Sequence, residues 1–280
     1  MNRIATRRHS DEYDSAASAP RIALIVHAEE PLDSELLPKW LSSFAHVGAI
    51  VVIKEGRAPR IRRLRAEYRR VGFWRLLDVF AFRLYYRMFL ATADRAWEQA
   101  QLESLGARFP DDTSAIPRLI TKNPNDPAVA EFLRRSRPDL MLARCKWLLE
   151  KSVYQIPAQG TYVLHPGICP QYRNAHGCFW ALACGDLGNV GLTLLRIDDG
   201  IDTGPIYAYF RYQFDAATET HIRIQERVVL ENIDGISAKL LDIAGARTAA
   251  QSVVTQQSRN WGQPWLSAYL RWRRAARRRS

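Results

Sequence analysis

Two short runs of branched apolar residues, 21–26 (RIALIV) and 49–53 (AIVVI), bracket a helix-like segment over 34–46. Strand, helix, strand at that spacing requires a crossover connection, and strands joined in this way run parallel. A parallel sheet must be covered on both faces, so this opening commits the chain to an α/β architecture with an open, mostly parallel sheet. Further strand-length runs at 116–121, 139–143, 161–164, 190–197 and 206–214 extend it. Helices are expected over 127–135, closed by Arg137-Pro138, over 146–154, over an amphipathic stretch after His165-Pro166-Gly167, and over 218–244. Between the second and third strands, residues 60–106 carry helical periodicity and no strand, which predicts a helical insertion.

A chain of 280 residues with 47% hydrophobic content has enough apolar surface for one large domain, placed at 20–245. Residues 1–19 are expected to be a disordered leader, and 246–280 an extension ending in an arginine-rich tail. No apolar segment follows the first arginines, so neither a secretory signal nor a spanning helix is expected there, and a cytoplasmic protein is. Cys145, Cys169, Cys178 and Cys184 lack the paired spacing of a zinc site, and the expectation is reduced thiols and no metal.

The net charge of +11 is uneven. Residues 54–95 hold twelve basic and four acidic side chains, and 271–280 (RWRRAARRRS) hold six arginines. Such clusters read either as a solvated face with a frayed tail or as a surface for an anionic partner. Residues 73–93 are apolar and aromatic, but Arg75, Asp78, Arg83 and Arg87 interrupt them and argue against a membrane span. Two uses remain: packing on the sheet or a second subunit in a homo-oligomer, or lying peripherally on an anionic membrane surface.

The loop after the first strand (HAEEPLD, 27–33) has no glycine, which argues against a backbone nest for phosphate. Glu29 and Glu30 suit a cationic or amine-bearing ligand, or are simply solvated. Chemistry-bearing residues gather instead at 160–204. His165 follows an apolar run and Asp202 sits in a tight Asp/Gly loop, and in an open α/β sheet such strand ends face one crevice. A carboxylate beside an imidazole poises it for proton transfer.

The ordered set 165–173 (HPGICPQYR), Gly185-Asp186, Val190-Gly191-Leu192-Thr193 and Asp202-Thr203-Gly204 resembles the folate-dependent formyltransferase family, most clearly over 137–209. The resemblance implies a Rossmann-like sheet of the formyltransferase type. It also implies a one-carbon transferase that moves a formyl group from 10-formyltetrahydrofolate to an amine, with no metal. By the same match His165 and Asp202 are catalytic. Gly167, Ile168, Cys169 and Pro170 form the folate-contacting loop, and Lys146, Trp147 and Leu148 fall near the wall of the pterin pocket. Val163 stands where the family pattern has Asn, and an apolar side chain donates no hydrogen bond. Losing one such donor costs on the order of 10²–10³ in rate. Asn174 is therefore the candidate replacement amide, with a helix cap as its alternative role. The expected acceptor is a small-molecule amine, an amino sugar or specialised metabolite, rather than tRNA. Two alternatives stay open: a formyltetrahydrofolate hydrolase, and a non-catalytic binding protein of the same fold.

Overall fold

The structure is a computed structural model that describes residues 19–252 and 257–278. The leader expected over 1–19 falls outside the described residues except for Ala19. Nine strands form: β1 (Arg21–His27), β2 (His46–Ile53), β3 (Arg118–Thr121), β4 (Leu140–Arg144), β5 (Thr161–His165), β6 (Arg173–Asn174), β7 (Leu192–Arg196), β8 (Ile206–Phe210) and β9 (Asn260–Trp261). Seven of them make one sheet in the order β3-β2-β1-β4-β5-β7-β8. The first five are parallel, while β5–β7 and β7–β8 pair antiparallel. The open, mostly parallel α/β sheet expected from the opening βαβ pattern is the architecture observed.

Alternation along each strand feeds two cores. One face of the sheet buries Leu24, Leu142, Tyr162 and Leu194 against Trp40 and Leu240, and the other buries Ile25, Val51 and Met141 against Val129 and Leu133. Burial on both faces is what a parallel sheet requires, and it explains why these strands read as continuous apolar runs.

The helices are more broken than the periodicity predicts. The segment expected over 34–46 is a π-helical turn (Leu32–Leu36) followed by α1 (Leu37–Ser42), and β2 already begins at His46. The insertion consists of α2 (Arg57–Phe89) and α3 (Ala91–Arg108), with α2 broken at Gly72, whose φ of 76° leaves the helical region. After α4 (Pro127–Ser136), the helix expected over 146–154 shrinks to the single turn α5 (Lys151–Tyr154). The stretch after the His-Pro-Gly loop, α6 (Gly177–Cys184), is not amphipathic: Gly177 to Leu182 are all buried. The run over 218–244 is two helices, α7 (His221–Leu230) and α8 (Ile233–Ala244).

A larger correction concerns the end of the chain. The arginine-rich stretch is no frayed tail within the described residues, because α9 (Leu266–Arg277) buries Ala268, Tyr269, Trp272 and Ala276 along one face. Tyr269 lies 5.3 Å from Phe82 of α2, and Trp272 lies 6.3 Å from Phe179 of α6, ring centre to ring centre. Spacing at i, i+4 and i+8 puts these apolar groups on one side and leaves Arg271, Arg274 and Arg277 exposed, while half-buried Arg273 donates to the Glu219 carbonyl at 2.8 Å.

Candidate active site

β5 ends at His165, on the carboxyl edge of the parallel half of the sheet and at the point where strand direction reverses. Only 4% of His165 is exposed. Its Nε2 donates to the Tyr172 carbonyl at 2.7 Å, since that oxygen can only accept, and this fixes a proton on Nε2. Its Nδ1 faces Asp202 Oδ2 at 3.4 Å. The same carboxylate oxygen accepts the backbone N–H of Asn174 at 2.7 Å. Asp202 and Asn174 both sit at positive φ, 50° and 74°, a region that Asn and Asp tolerate better than other side chains. The imidazole and carboxylate expected to meet across the crevice therefore do meet.

The loop between them is pinned from several sides. Thr193, opposite His165 in the β5–β7 ladder, donates to the Gly167 carbonyl at 2.6 Å and accepts the Cys169 N–H at 3.0 Å. Tyr209 donates to the Cys169 carbonyl, and Arg173 donates to the Ile201 carbonyl, tying this loop to the one that carries Asp202. A side chain at Gly167 would meet the Tyr172 carbonyl at 2.7 Å and His165 Nε2 at 2.9 Å, so only glycine lets the loop fold back under the imidazole. Ile168 and Cys169 point inward and are buried. The expected folate loop thus offers a ligand its backbone and the half-buried Pro170.

Asn174 needs a correction. Its side-chain amide donates to the Trp261 carbonyl at 2.5 Å, across the small parallel pair β6–β9, and makes no recorded contact with His165. What reaches Asp202 is the backbone N–H, so Asn174 positions the carboxylate and does not replace the missing amide. Val163, two residues before His165 and on the same face, packs into the second core.

Lys146, Trp147 and Leu148 run irregularly along the same sheet edge. The Lys146 N–H donates to His27 Nε2 at 3.0 Å, and its ammonium pairs with Glu30 at 2.5 Å. Burial and the nearby Lys146 charge lower the His27 pKa, consistent with a neutral ring accepting that bond. Leu148 is 65% exposed, and the indole N–H of Trp147 is buried without a hydrogen-bond partner. Leu148 thus forms an exposed apolar ledge on this edge, while the Trp147 indole N–H lies beneath the surface.

Beside this edge lies a cavity of about 200 Å³ whose lining includes Glu30, Asp33, Tyr86, Trp97, Glu98 and Glu226. Arg144, at the end of β4, joins it to the His165 strand, donating to Asp33 at 3.0 Å, to Glu226 at 3.4 Å and to the Leu164 carbonyl at 2.9 Å. Burial raises the Asp33 carboxyl, with Arg144 opposing, and pushes Glu226 up to about 7 against the same opposition. Glu98 is raised by burial and by neighbouring carboxylates. The wall is acidic beyond what its cations balance. Arg144 and Asp33 were not singled out from the sequence, although an arginine closing an apolar strand is the signal that finds the first. Among the described residues no His, Cys, Asp and Glu cluster is placed to hold a metal ion.

The buried imidazole, its carboxylate partner and the nearby cavity mark the carboxyl edge of this Rossmann-like sheet as the candidate active site. A family model described as formyl transferase matches residues 95–240, just over half of the chain, and the chain belongs to that family. It is similar to the methionyl-tRNA formyltransferase of Thermus thermophilus, 34% identical over 101 residues that make up 36% of this chain and 33% of that one. With the corresponding Bacteroides fragilis protein it shares 27% identity over 169 residues, 55% of this chain and 52% of that one. The chain thus spans between a third and about half of the length of these relatives. Among solved structures, a sugar N-formyltransferase from Shewanella superposes with a TM-score of 0.51 at 15% identity, covering 86% of this chain and 76% of that one. A phosphoribosylglycinamide formyltransferase from Anaplasma phagocytophilum gives 0.52 at 14%, covering 82% and 89%. At these identities the superpositions speak for the fold alone.

Proposed function

We propose that this enzyme transfers the formyl group of 10-formyltetrahydrofolate to the amine of a small-molecule acceptor bound in the acidic cavity. The observation that carries this reading is the contact of His165 Nδ1 with Asp202, held in place by the Asn174 N–H. In the reaction the amine lone pair attacks the formyl carbon, a C–N bond forms, and the bond from that carbon to the folate nitrogen breaks. The proton lost by the amine must reach the departing nitrogen, and an imidazole backed by a carboxylate can relay it. The oxyanion that develops on the formyl oxygen needs a donor; Val163 offers none, and His165 can serve only if its Nε2–H turns from the Tyr172 carbonyl to the substrate.

Carboxylates lining the cavity favour an acceptor that carries positive charge, and the glycine-free loop after β1 lacks the backbone cradle of a phosphate site. An amino sugar or specialised amine fits both features. The test is formyl transfer from 10-formyltetrahydrofolate across a panel of amino sugars and diamines. His165→Ala is expected to lower kcat by about 10²–10⁴ and Asp202→Asn by at least about tenfold, with the fold retained. Equal turnover by parent and His165→Ala would remove the site, and formate release without any acceptor would show water in the amine's place.

A further inference from the structure

Nine of the thirteen exposed large apolar side chains among the described residues belong to α2. Beyond the break at Gly72 they form a stripe: Phe73, Leu77, Phe80, Leu84 and Met88 recur at intervals of four, three, four and four, with Trp74, 81% exposed, at its margin. Such spacing places them on one face over about 24 Å of helix. The opposite face is also apolar but satisfied, with Val79 and Phe82 buried and Phe82 in ring contact with Phe179 of α6 and Tyr269 of α9. α2 therefore has two apolar sides, and only one is covered by the described residues.

The charges around the uncovered side have one sign. Arg83 and Arg87, one turn apart and exposed, flank the stripe. The carboxylates of α2 are turned away from it: Glu67 binds Arg70, and Asp78 accepts from the Ser267 N–H at 3.0 Å. A two-fold contact between copies through this stripe would bring arginines towards arginines with no stripe carboxylate to offset them. No described helix is long and apolar enough to cross a membrane. We propose that α2 lies in the plane of an anionic lipid surface, with the 73–88 stripe inserted among the acyl chains and Arg83 and Arg87 at the headgroups.

The test is co-sedimentation of the whole chain with phosphatidylcholine vesicles with and without phosphatidylglycerol, at low and high salt. Binding is expected to need the anionic lipid and to persist in part at high salt, since insertion of apolar side chains is not screened. Arg83→Ala and Arg87→Ala are each expected to weaken it about fivefold, as roughly 1 kcal/mol per surface charge implies. Leu84→Glu combined with Met88→Glu is expected to weaken it at least about tenfold. Both positions are more than half exposed, so circular dichroism should be unchanged. Vesicle binding absent, or equal in parent and Leu84→Glu/Met88→Glu, would overturn the proposal. So would a lipid-free dimer dissolved by the same pair of substitutions, which would make a second copy the occupant.

Discussion

His176 is two residues beyond Asn174, at the start of α6, with φ 57° and its Nδ1 unpartnered. Burial is the main reason its pKa falls to about 4, with the Lys146 charge adding to it. His221, whose ring centre is 6.1 Å away, is lowered by burial and by His176. The native state thus binds fewer protons than the unfolded chain below the unfolded pKa of 6.5, so stability falls as pH drops through that value towards 4. Between neutral pH and pH 5, His176 alone is expected to cost about 2 kcal/mol, at about 1.4 kcal/mol per unit. Urea midpoints measured at the two pH values check this, and His176→Asn, which tolerates the same backbone, should flatten the dependence. A slope unchanged by that substitution would place the acid sensitivity elsewhere.

Among the elements, α9 is held by the aromatic side chains on its buried face. Trp272 is 3% exposed between Phe179 and Tyr269, so Trp272→Ala is expected to destabilise by about 3–5 kcal/mol in a denaturant titration. A loss below about 1 kcal/mol would mean that α9 is only loosely seated. This helix also marks where the sequence stops being legible. The strands are readable because a buried parallel sheet leaves continuous apolar runs, and the His165 and Asp202 loops are readable because each closes such a run at a turn. The apolar spacing of 268, 269, 272 and 276 is equally present, but the six arginines from Arg271 to Arg279 and the earlier Arg259 dominate the eye and the average polarity. Asn174 fails for a different reason. Its carboxamide is turned by the Trp261 carbonyl, 87 residues later, and no local pattern around 174 announces that partner. The periodicity continues across the breaks at Gly72 and at 231–232; the first uses a positive φ open to glycine, and at the second Asn232 donates to the Arg211 carbonyl.

On the scale of the whole molecule, the imidazole–carboxylate pair and the acidic cavity have different origins in the chain. His165, Asn174 and Asp202 come from one stretch of 38 residues, whereas the acidic wall draws on the loop after β1, on α3 and on α7. Glu98→Gln removes one carboxylate from that cavity and should raise the KM of a cationic acceptor about fivefold at low salt, leaving the KM for the folate unchanged. Initial-rate measurements with each substrate varied in turn separate the two, and an equal rise in both would show that the pair and the cavity are not independent. On the proposed reading, the reacting groups and the acceptor-facing carboxylates lie on separate lengths of chain, and a substitution at Glu98 can exchange one amine for another. The proton path stays where it is while the clientele changes.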